Sequence, residues 1–197
     1  MTHESAVLKA REIANRVLAP SAVQNDKAGR FSTEAVESLG ESGLLGLMLP
    51  VDFGGSGLGP RTFAAAAATL AEADASVAMV YLMHLLGTAT ITAARPGAAR
   101  ALTPILREIG EGQHLSTLAF SEAGSRSHFW APISRAHRNG NGLRISAKKS
   151  WVTSAGHAQS YVVSALAPEG SGPTDSTLYL GRPKMTTRAS FTESERG

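Results

Sequence analysis

The sequence contains no cysteine among its 197 residues. This absence excludes disulfide bonds, metal sites with thiolate ligands, cysteine-bound iron–sulfur clusters and a cysteine nucleophile. It also fits a reducing compartment, and we expect a cytoplasmic protein. Hydrophobic residues make up 43% of the chain and charged residues 18%, the composition of a globular protein with a sizeable core.

Concentrated charge of one sign is also lacking, because the formal net charge is only +3. Proteins that bind nucleic acid usually carry a basic face with interleaved aromatic residues, so we expect no nucleic-acid partner. A solvated edge explains the densest basic group best, and the pyrophosphate of a cofactor is the better functional alternative. That group is Arg135, Arg138, Arg144, Lys148 and Lys149.

The N-terminus lacks the apolar core of a secretion signal, since Glu4 and Glu12 interrupt it. The stretch 76–94 carries no formal charge and is almost long enough to cross a membrane. It contains His84, several threonines and many small alanines, so we interpret it as a helix buried among helices. We therefore expect no membrane span.

Signatures of metal and hydrolase sites are missing as well. The six histidines are dispersed, and the pair Glu111 and His114 has no second pair to complete a site, so we expect no metal. A Gly-x-Ser-x-Gly elbow is absent, which argues against a serine hydrolase. The glycines of residues 54–59 miss the dinucleotide fingerprint because Pro60 takes its last position, and we interpret them as a connection between helices.

Helical patterns fill residues 1 to about 112. We expect the first helix to stop at Pro20, and Ser32 to cap the next one with Phe31 packed on Val36. Pro104 should kink or restart the last helix. The predicted helices cover residues 5–18, a segment from Ser32, 63–73, 76–94 and a segment from Pro96 to about 109.

Short extended segments follow, separated by turn signals such as the NGNG of residues 139–142. The fold class is therefore α+β, with an N-terminal all-helical domain followed by an incomplete antiparallel β domain. We place the domains at 1–114 and 115–180, with a disordered tail at 181–197. The predicted strands are 115–120, 134–137, 143–147, 150–153, 161–166 and 176–180.

Two segments of the β half could carry chemistry. The first, LAFSEAGSRS at 118–127, looks like a strand end followed by a loop of small residues that can offer hydroxyls and N–H groups. The second, SWVTSAG at 150–156, would place Trp151 and Thr153 on one face of a strand. An indole beside a hydroxyl suits a flat heteroaromatic ligand, although a strand tryptophan belongs more often to the core.

The run from Leu44 to Val163 resembles the acyl-CoA dehydrogenase family. Three segments carry the resemblance, and their order and spacing agree with that family: LLGLMLPVDFGGSGLG, LAFSEAGSRSHFWAP and KKSWVTSAGHAQSYVV. With the weaker N-terminal helices the resemblance covers about residues 5 to 166. It implies FAD as cofactor, an acyl-CoA thioester as substrate, a separate electron acceptor and a role in fatty-acid metabolism.

The resemblance also implies roles for individual residues of this chain. Ser121 matches a hydroxyl that contacts the flavin ring, and Ser127 matches a serine near the flavin pyrophosphate and the thioester chain of the substrate. Trp151 matches the aromatic residue against the ring, and Thr153 matches a hydroxyl near the reactive flavin nitrogen. The backbone from Leu118 to Ser127 would line the cofactor.

Four positions depart from the pattern of that family. Phe120 stands where an aliphatic residue is usual, Ala123 where proline is usual, Arg126 where glycine is usual and His128 where aspartate is usual. Arg126 adds charge and restricts the backbone, and His128 replaces an anion with an aromatic ring. These departures weaken the expectation of a straight-chain acyl substrate.

The family's catalytic base comes from a C-terminal helical bundle, and nothing after Leu180 resembles that bundle. We therefore expect an N-terminal fragment of an α,β-dehydrogenating flavoenzyme, inactive alone, with no catalytic residue of its own and homo-oligomers only in the intact enzyme. Two alternatives stay open. One is a fragment of a flavin-dependent monooxygenase of the same fold, and the other is a non-catalytic half that awaits a partner.

Overall fold

The computed structural model describes residues 1–94, 96–125, 128, 130–140 and 142–182. Helices make up its first part and short strands its second, as predicted. The helices are α1 (His3–Ile13), α2 (Ala19–Ala28), α3 (Thr33–Glu41), α4 (Pro60–Ala71), α5 (Ala75–Thr92) and α6 (Pro96–Gly110). The strands are β1 (Ser116–Ala119), β2 (Ala136–Asn139), β3 (Gly142–Ile145), β4 (Ser160–Leu166) and β5 (Ser176–Gly181).

The predicted stop at Pro20 is wrong. A π-helical turn, Ala14–Leu18, joins α1 directly to α2, and Pro20 lies in the first turn of α2. The π-helical turn shifts the backbone hydrogen bonds just before Pro20, which has no N–H to donate. The helical path therefore continues through Pro20. The chain leaves α2 at Gly29, whose φ of 58° is left-handed. Of the two alternatives expected at Pro104, a kink or a restart, the restart is excluded because α6 runs through that residue.

A backbone crossing fixes α3 against the end of α6. A Cβ atom on Gly40 would lie 2.3 Å from the carbonyl oxygen of Gly112, and Gly112 itself has a φ of 75°. Any larger side chain at Gly40 would push the two segments apart, since this contact is with backbone that cannot swing away. Gly40 lies inside α3 and permits this close approach.

The helical core forms where α1, α3, α4 and α5 meet. Tyr81, His84 and Leu85 of α5 are fully buried, and α5 packs against α4, α6 and β1. By length and composition alone, α5 also meets the requirements of a membrane span. Core helices of globular proteins meet the same requirements, so this observation carries little weight for a membrane location.

The strands form two small sheets. Strand β4 lies between β1 and β5, parallel to β1 and antiparallel to β5, and β2 pairs with β3 as an antiparallel hairpin. The predicted turn at 139–142 is confirmed by this hairpin. The predicted strand at 150–153 is wrong, because those residues form bends and turns. Of the predicted tail, Gly181 ends β5, and residues 183–197 lie outside the described part of the chain.

Two buried histidines join the helical part to the sheet. The Nδ1 atom of His84 accepts a hydrogen bond of 3.0 Å from the Ser116 N–H, and its Nε2 lies 3.0 Å from the Leu45 carbonyl oxygen. An accepting Nδ1 and a donating Nε2 define the neutral ring. Burial is the main cause that lowers the pKa of His84 to about 4.

His114 continues this junction. Its Nδ1 lies 2.7 Å from Oε2 of Glu108, and its Nε2 lies 2.8 Å from the Ser160 hydroxyl in β4. Burial lowers the pKa of His114, although the neighbouring Glu108 carboxylate opposes that shift. Glu108 also accepts a hydrogen bond of 2.8 Å from Arg182, which follows β5. Helix α6 is thus tied to both β4 and the end of β5.

We expect the stability of the protein to fall on acidification between about pH 6.5 and pH 4. In the unfolded chain His84 binds a proton near its ordinary pKa of 6.5, but in the fold it does so only near 4. The unfolded state therefore binds more protons within this window, and acid favours it by up to about 3 kcal/mol. His84→Gln, which keeps one donor and one acceptor, should flatten the dependence in urea titrations across this range. The matched control His137→Gln, at an exposed histidine of β2, should keep the slope of the wild type; equal slopes in both variants would contradict this assignment.

Candidate functional site

The two segments singled out in the sequence lie side by side in the fold. We call residues 120–135 the first loop and residues 146–159 the second loop. The Ser150 N–H donates to the Ser121 carbonyl at 2.9 Å, and the Thr117 hydroxyl donates to the Thr153 carbonyl at 2.8 Å. At its end the second loop reaches Leu115, whose carbonyl accepts from the Gln159 N–H at 2.9 Å. The second loop therefore runs back along β1.

A buried ion pair holds the two loops together. The Lys149 ammonium donates to Oε1 of Glu122 at 2.6 Å, and their side chains are only 9% and 5% exposed. The same ammonium reaches the Phe120 carbonyl at 3.2 Å and the Ser164 carbonyl at 2.6 Å. Lys149 thus connects the first loop, the second loop and β4 through one charged group.

The Glu122 carboxylate is also bound by the far end of the first loop. It accepts hydrogen bonds from the N–H groups of Ile133 and Ser134 at 2.7 and 2.9 Å, and from the Ser134 hydroxyl. Burial alone raises the pKa of this carboxyl. The hydrogen bonds from Lys149 and Ser134 outweigh burial and lower the pKa to about 2. Glu122 is therefore a structural anion that closes the first loop upon itself.

We expect Lys149→Met to destabilise the protein by about 3–5 kcal/mol, because it leaves a buried carboxylate without its partner. Arg138 and Glu169 form an exposed ion pair of similar length, 2.9 Å, and provide the matched control. Arg138→Met should change the free energy of unfolding by less than about 1 kcal/mol. Urea denaturation at pH 7 measures both variants, and equal losses would contradict the structural role of Lys149.

Trp151 has an unusual conformation within the second loop. Its φ is 56°, a left-handed value that is rare for a bulky residue, and its side chain is 94% exposed. Ser154, three residues later, has a φ of 61°. Left-handed backbone at residues with side chains costs about 1–3 kcal/mol each and occurs often at functional sites. The prediction that Trp151 and Thr153 share a strand face is wrong, and tight turns present these residues instead.

Several hydroxyls near these turns have no hydrogen-bond partner within the described part of the chain. Among the described residues, no hydrogen bond reaches the side-chain oxygens of Ser121 or Thr153, and the buried Ser154 hydroxyl is also unpaired. Unpaired buried hydroxyls are uncommon in folded proteins. Leu118 lies in β1 opposite Val162 of β4, and its side chain packs on the apolar cluster of α5 and α6. Ser127 lies outside the described residues.

Sequence reasoning missed other residues that shape the second loop. Phe31, expected on Val36, stacks on His157 with ring centroids 3.9 Å apart and an angle of 8° between the planes. The Tyr161 hydroxyl accepts a hydrogen bond of 2.9 Å from the Gly156 N–H. Lys149 was noted in the sequence as a member of the densest basic group, but its ion pair with Glu122 was not predicted. These pairs are 5 to 126 residues apart in the sequence, and no local pattern marks them.

The family model for the N-terminal domain of acyl-CoA dehydrogenases matches residues 2–113, more than half of the chain. The chain belongs to the acyl-CoA dehydrogenase family. This membership confirms the resemblance inferred from the three sequence segments.

Individual relatives agree with that family and extend the match into the β half. A probable acyl-CoA dehydrogenase, YngJ of Bacillus subtilis, is 26% identical over 160 residues, 79% of this chain and 41% of the relative. Butyryl-CoA dehydrogenase from Megasphaera elsdenii superimposes with a TM-score of 0.83 at 22% identity, over 94% of this chain and 50% of that one. A nitrososynthase from Micromonospora carbonacea superimposes with a TM-score of 0.72 at 26% identity, over 91% of this chain and 45% of that one. The chain thus spans about half the length of these relatives.

Proposed function

We propose that this chain forms the flavin-facing half of an FAD-dependent enzyme that introduces a double bond into an acyl-CoA thioester. The observation that carries the proposal is Trp151, an almost wholly exposed indole in a strained backbone conformation. Its loop is hydrogen-bonded to the loop of Ser121, the other segment that resembles a flavin contact. Large exposed aromatic surface with no packing role in the fold is well suited to a flat ligand.

The chemistry of the surrounding groups fits a flavin. An isoalloxazine ring offers an apolar face for stacking and polar edges for hydrogen bonds. The two loops offer the exposed indole of Trp151 for the face and the hydroxyls of Ser121, Thr153 and Ser154 for the edges. We assign the ring face to Trp151 and the polar edge to the hydroxyls of Ser121 and Thr153. The backbone at Leu118 would line the cofactor. Ser127 is assigned to the flavin pyrophosphate and the substrate thioester on the resemblance alone.

FAD would supply the hydride acceptor in this chemistry. The residues of this chain would bind and orient the ring, and Thr153 would hold its hydroxyl toward the edge where negative charge grows on reduction. Membership of the family supports a role in fatty-acid metabolism and a separate electron acceptor. We also propose a cytoplasmic location, as the lack of cysteine suggests, and self-association of the intact enzyme.

We expect Trp151→Gly to weaken FAD binding without destabilising the free protein. The substitution removes an exposed ring and relieves a left-handed residue, so the melting temperature should stay the same or rise. Loss of the stacking contact should raise the Kd for FAD by roughly 2- to 12-fold, equivalent to about 0.5–1.5 kcal/mol. Quenching of FAD fluorescence by the 197-residue chain measures the affinity.

Trp151→Phe is the matched variant, because it keeps an aromatic face in the same loop, and it should retain most of the affinity. A tryptophan that serves only the β-half core would give the opposite pattern, with a lower melting temperature for Trp151→Gly and an unchanged Kd. Failure of the wild-type chain to quench FAD fluorescence at any concentration would remove the basis of the proposed function.

We further propose that the 197-residue chain has no dehydrogenase activity alone. The first loop contains one carboxylate in its sequence, Glu122. This group is ion-paired and has a pKa of about 2. A group that is fully hydrogen-bonded and so weakly basic is a poor proton acceptor, so the base that removes the α-proton would come from elsewhere. Turnover of acyl-CoA substrates with an artificial electron acceptor should equal the control without enzyme. Activity above that control, lost in a Glu122→Gln variant, would overturn this assignment.

A second function remains open because the nitrososynthase shows a related fold at 26% identity. The first loop carries an aromatic pair, with the rings of His128 and Trp130 stacked at 4.9 Å, where the family usually has an aspartate. This pair supports a substrate other than a straight acyl chain and favours the monooxygenase alternative. Incorporation of an oxygen atom from labelled O2 into an organic product, by a full-length homologue with reduced flavin, distinguishes the two functions, because spontaneous oxidation of reduced flavin gives only hydrogen peroxide. The non-catalytic alternative predicts neither oxygen incorporation nor thioester oxidation.

A further inference from the structure

Phe31 connects the helical half to the second loop through an aromatic contact. It lies in the short turn between α2 and α3, where the left-handed Gly29 redirects the chain. Its ring faces the His157 imidazole at a centroid distance of 3.9 Å, with the planes almost parallel. His157 is an exposed residue of the second loop even with Phe31 in place, so the stack covers one face of its ring.

The part of the second loop that contains His157 is a local turn. The Ser154 carbonyl accepts from the N–H groups of His157 and Ala158 at 3.0 and 2.9 Å, and the Gly156 N–H donates to the Tyr161 hydroxyl. The hydrogen bonds that hold the rest of the second loop involve Ser150 and Thr153 before Ser154, and Gln159 at the end of the loop. The contact at His157 therefore restrains the turn that lies between these two anchors.

Strained residues need such restraint from both sides. Left-handed backbone at Trp151 and Ser154 persists only where surrounding contacts prevent the chain from relaxing. The bonds at Ser150 and Thr153 flank Trp151, but Ser154 lies between Thr153 and the turn that Phe31 covers. Loss of the contact at His157 would free that turn, and Ser154 could then relax toward ordinary angles.

We propose that Phe31 is a positioning residue for the flavin site, and that it acts through His157 to hold the second loop in the conformation that presents Trp151. This inference rests on the proposed function, because it assumes that the second loop receives the flavin. Phe31 itself would not touch the cofactor. Its effect would be to keep the binding conformation populated before FAD arrives, so that affinity is not reduced by the fraction of open loop.

The experiment compares Phe31→Leu, which removes the ring but keeps apolar volume, with Phe31→Tyr, which keeps the ring. Hydrogen exchange of the amides of residues 151–158 is measured first, in the 197-residue chain without flavin. Phe31→Leu should speed exchange there by roughly 2- to 12-fold, the range for loss of an aromatic pair, while α5 keeps its protection. Phe31→Tyr should match the wild type. Unchanged exchange in Phe31→Leu would overturn the proposal.

FAD affinity is the second readout. Phe31→Leu should raise the Kd by a factor no larger than the increase in exchange rate, because affinity falls only with the fraction of open loop, and Phe31→Tyr should not raise it. Faster exchange with an unchanged Kd would also overturn the proposal, since the second loop would then be mobile without consequence for binding. If the wild-type chain binds no FAD, the proposed function fails and this inference fails with it, while the exchange data alone still report whether Phe31 restrains the loop.

His157→Leu tests the same contact from the other ring and covers the case in which Phe31→Leu does not fold. It should give the same change in exchange and in Kd as Phe31→Leu. The double variant Phe31→Leu with His157→Leu should show no further change, because both substitutions remove one contact. Additive effects of the two substitutions would overturn the proposal, since each residue would then act on its own.

Discussion

The arrangement of the β half depends on one buried ion pair, Glu122 with Lys149. These residues lie on different loops, and their charged groups also bind backbone of β4 and of the far end of the first loop. An unpaired charge at either position would be strongly unfavourable at such low exposure, so the pair ties these segments together. The exposed Trp151 follows Lys149 closely in the second loop. The stabilising residue Lys149 and the strained residue Trp151 are therefore close together in the sequence.

Most of the helical half could be predicted because local patterns determine it. Apolar and alanine-rich segments of the sequence predicted the bounds of α4, α5 and α6 to within a few residues. Pro20 was misjudged because a π-helical turn, which has no clear sequence signature, changes the hydrogen bonding before it. Leu8 illustrates another limit: its apolar side chain favours the buried face of the first helix, but it is 66% exposed, and Ala6, Ala10 and Ile13 line that face instead.

The candidate site was predictable in its residues but not in its geometry. The similarity of two segments to a known family identified Ser121, Trp151 and Thr153, whereas the strand assumed for 150–153 does not exist. A tryptophan rarely adopts left-handed backbone angles, so the local conformational preferences of the sequence could not predict this geometry. Local sequence patterns also could not predict the long-range contacts of the two loops. Phe31 and His157 are far apart in the sequence, and the ion pair of Glu122 and Lys149 spans 27 positions.

The parallel pairing of β1 with β4 has a consequence for the order in which the protein is made. Ser116 pairs with Ser160, so β1 leaves the ribosome 44 residues before its partner, and both loops of the site are synthesised in between. The hydrogen bonds within each helix need no such wait, because their partners are only a few residues apart in the sequence. During synthesis the apolar faces of α5 and α6 can form first and receive β1 through the bond from Ser116 to His84. The helical half would then serve as the template on which a sheet of widely separated strands assembles.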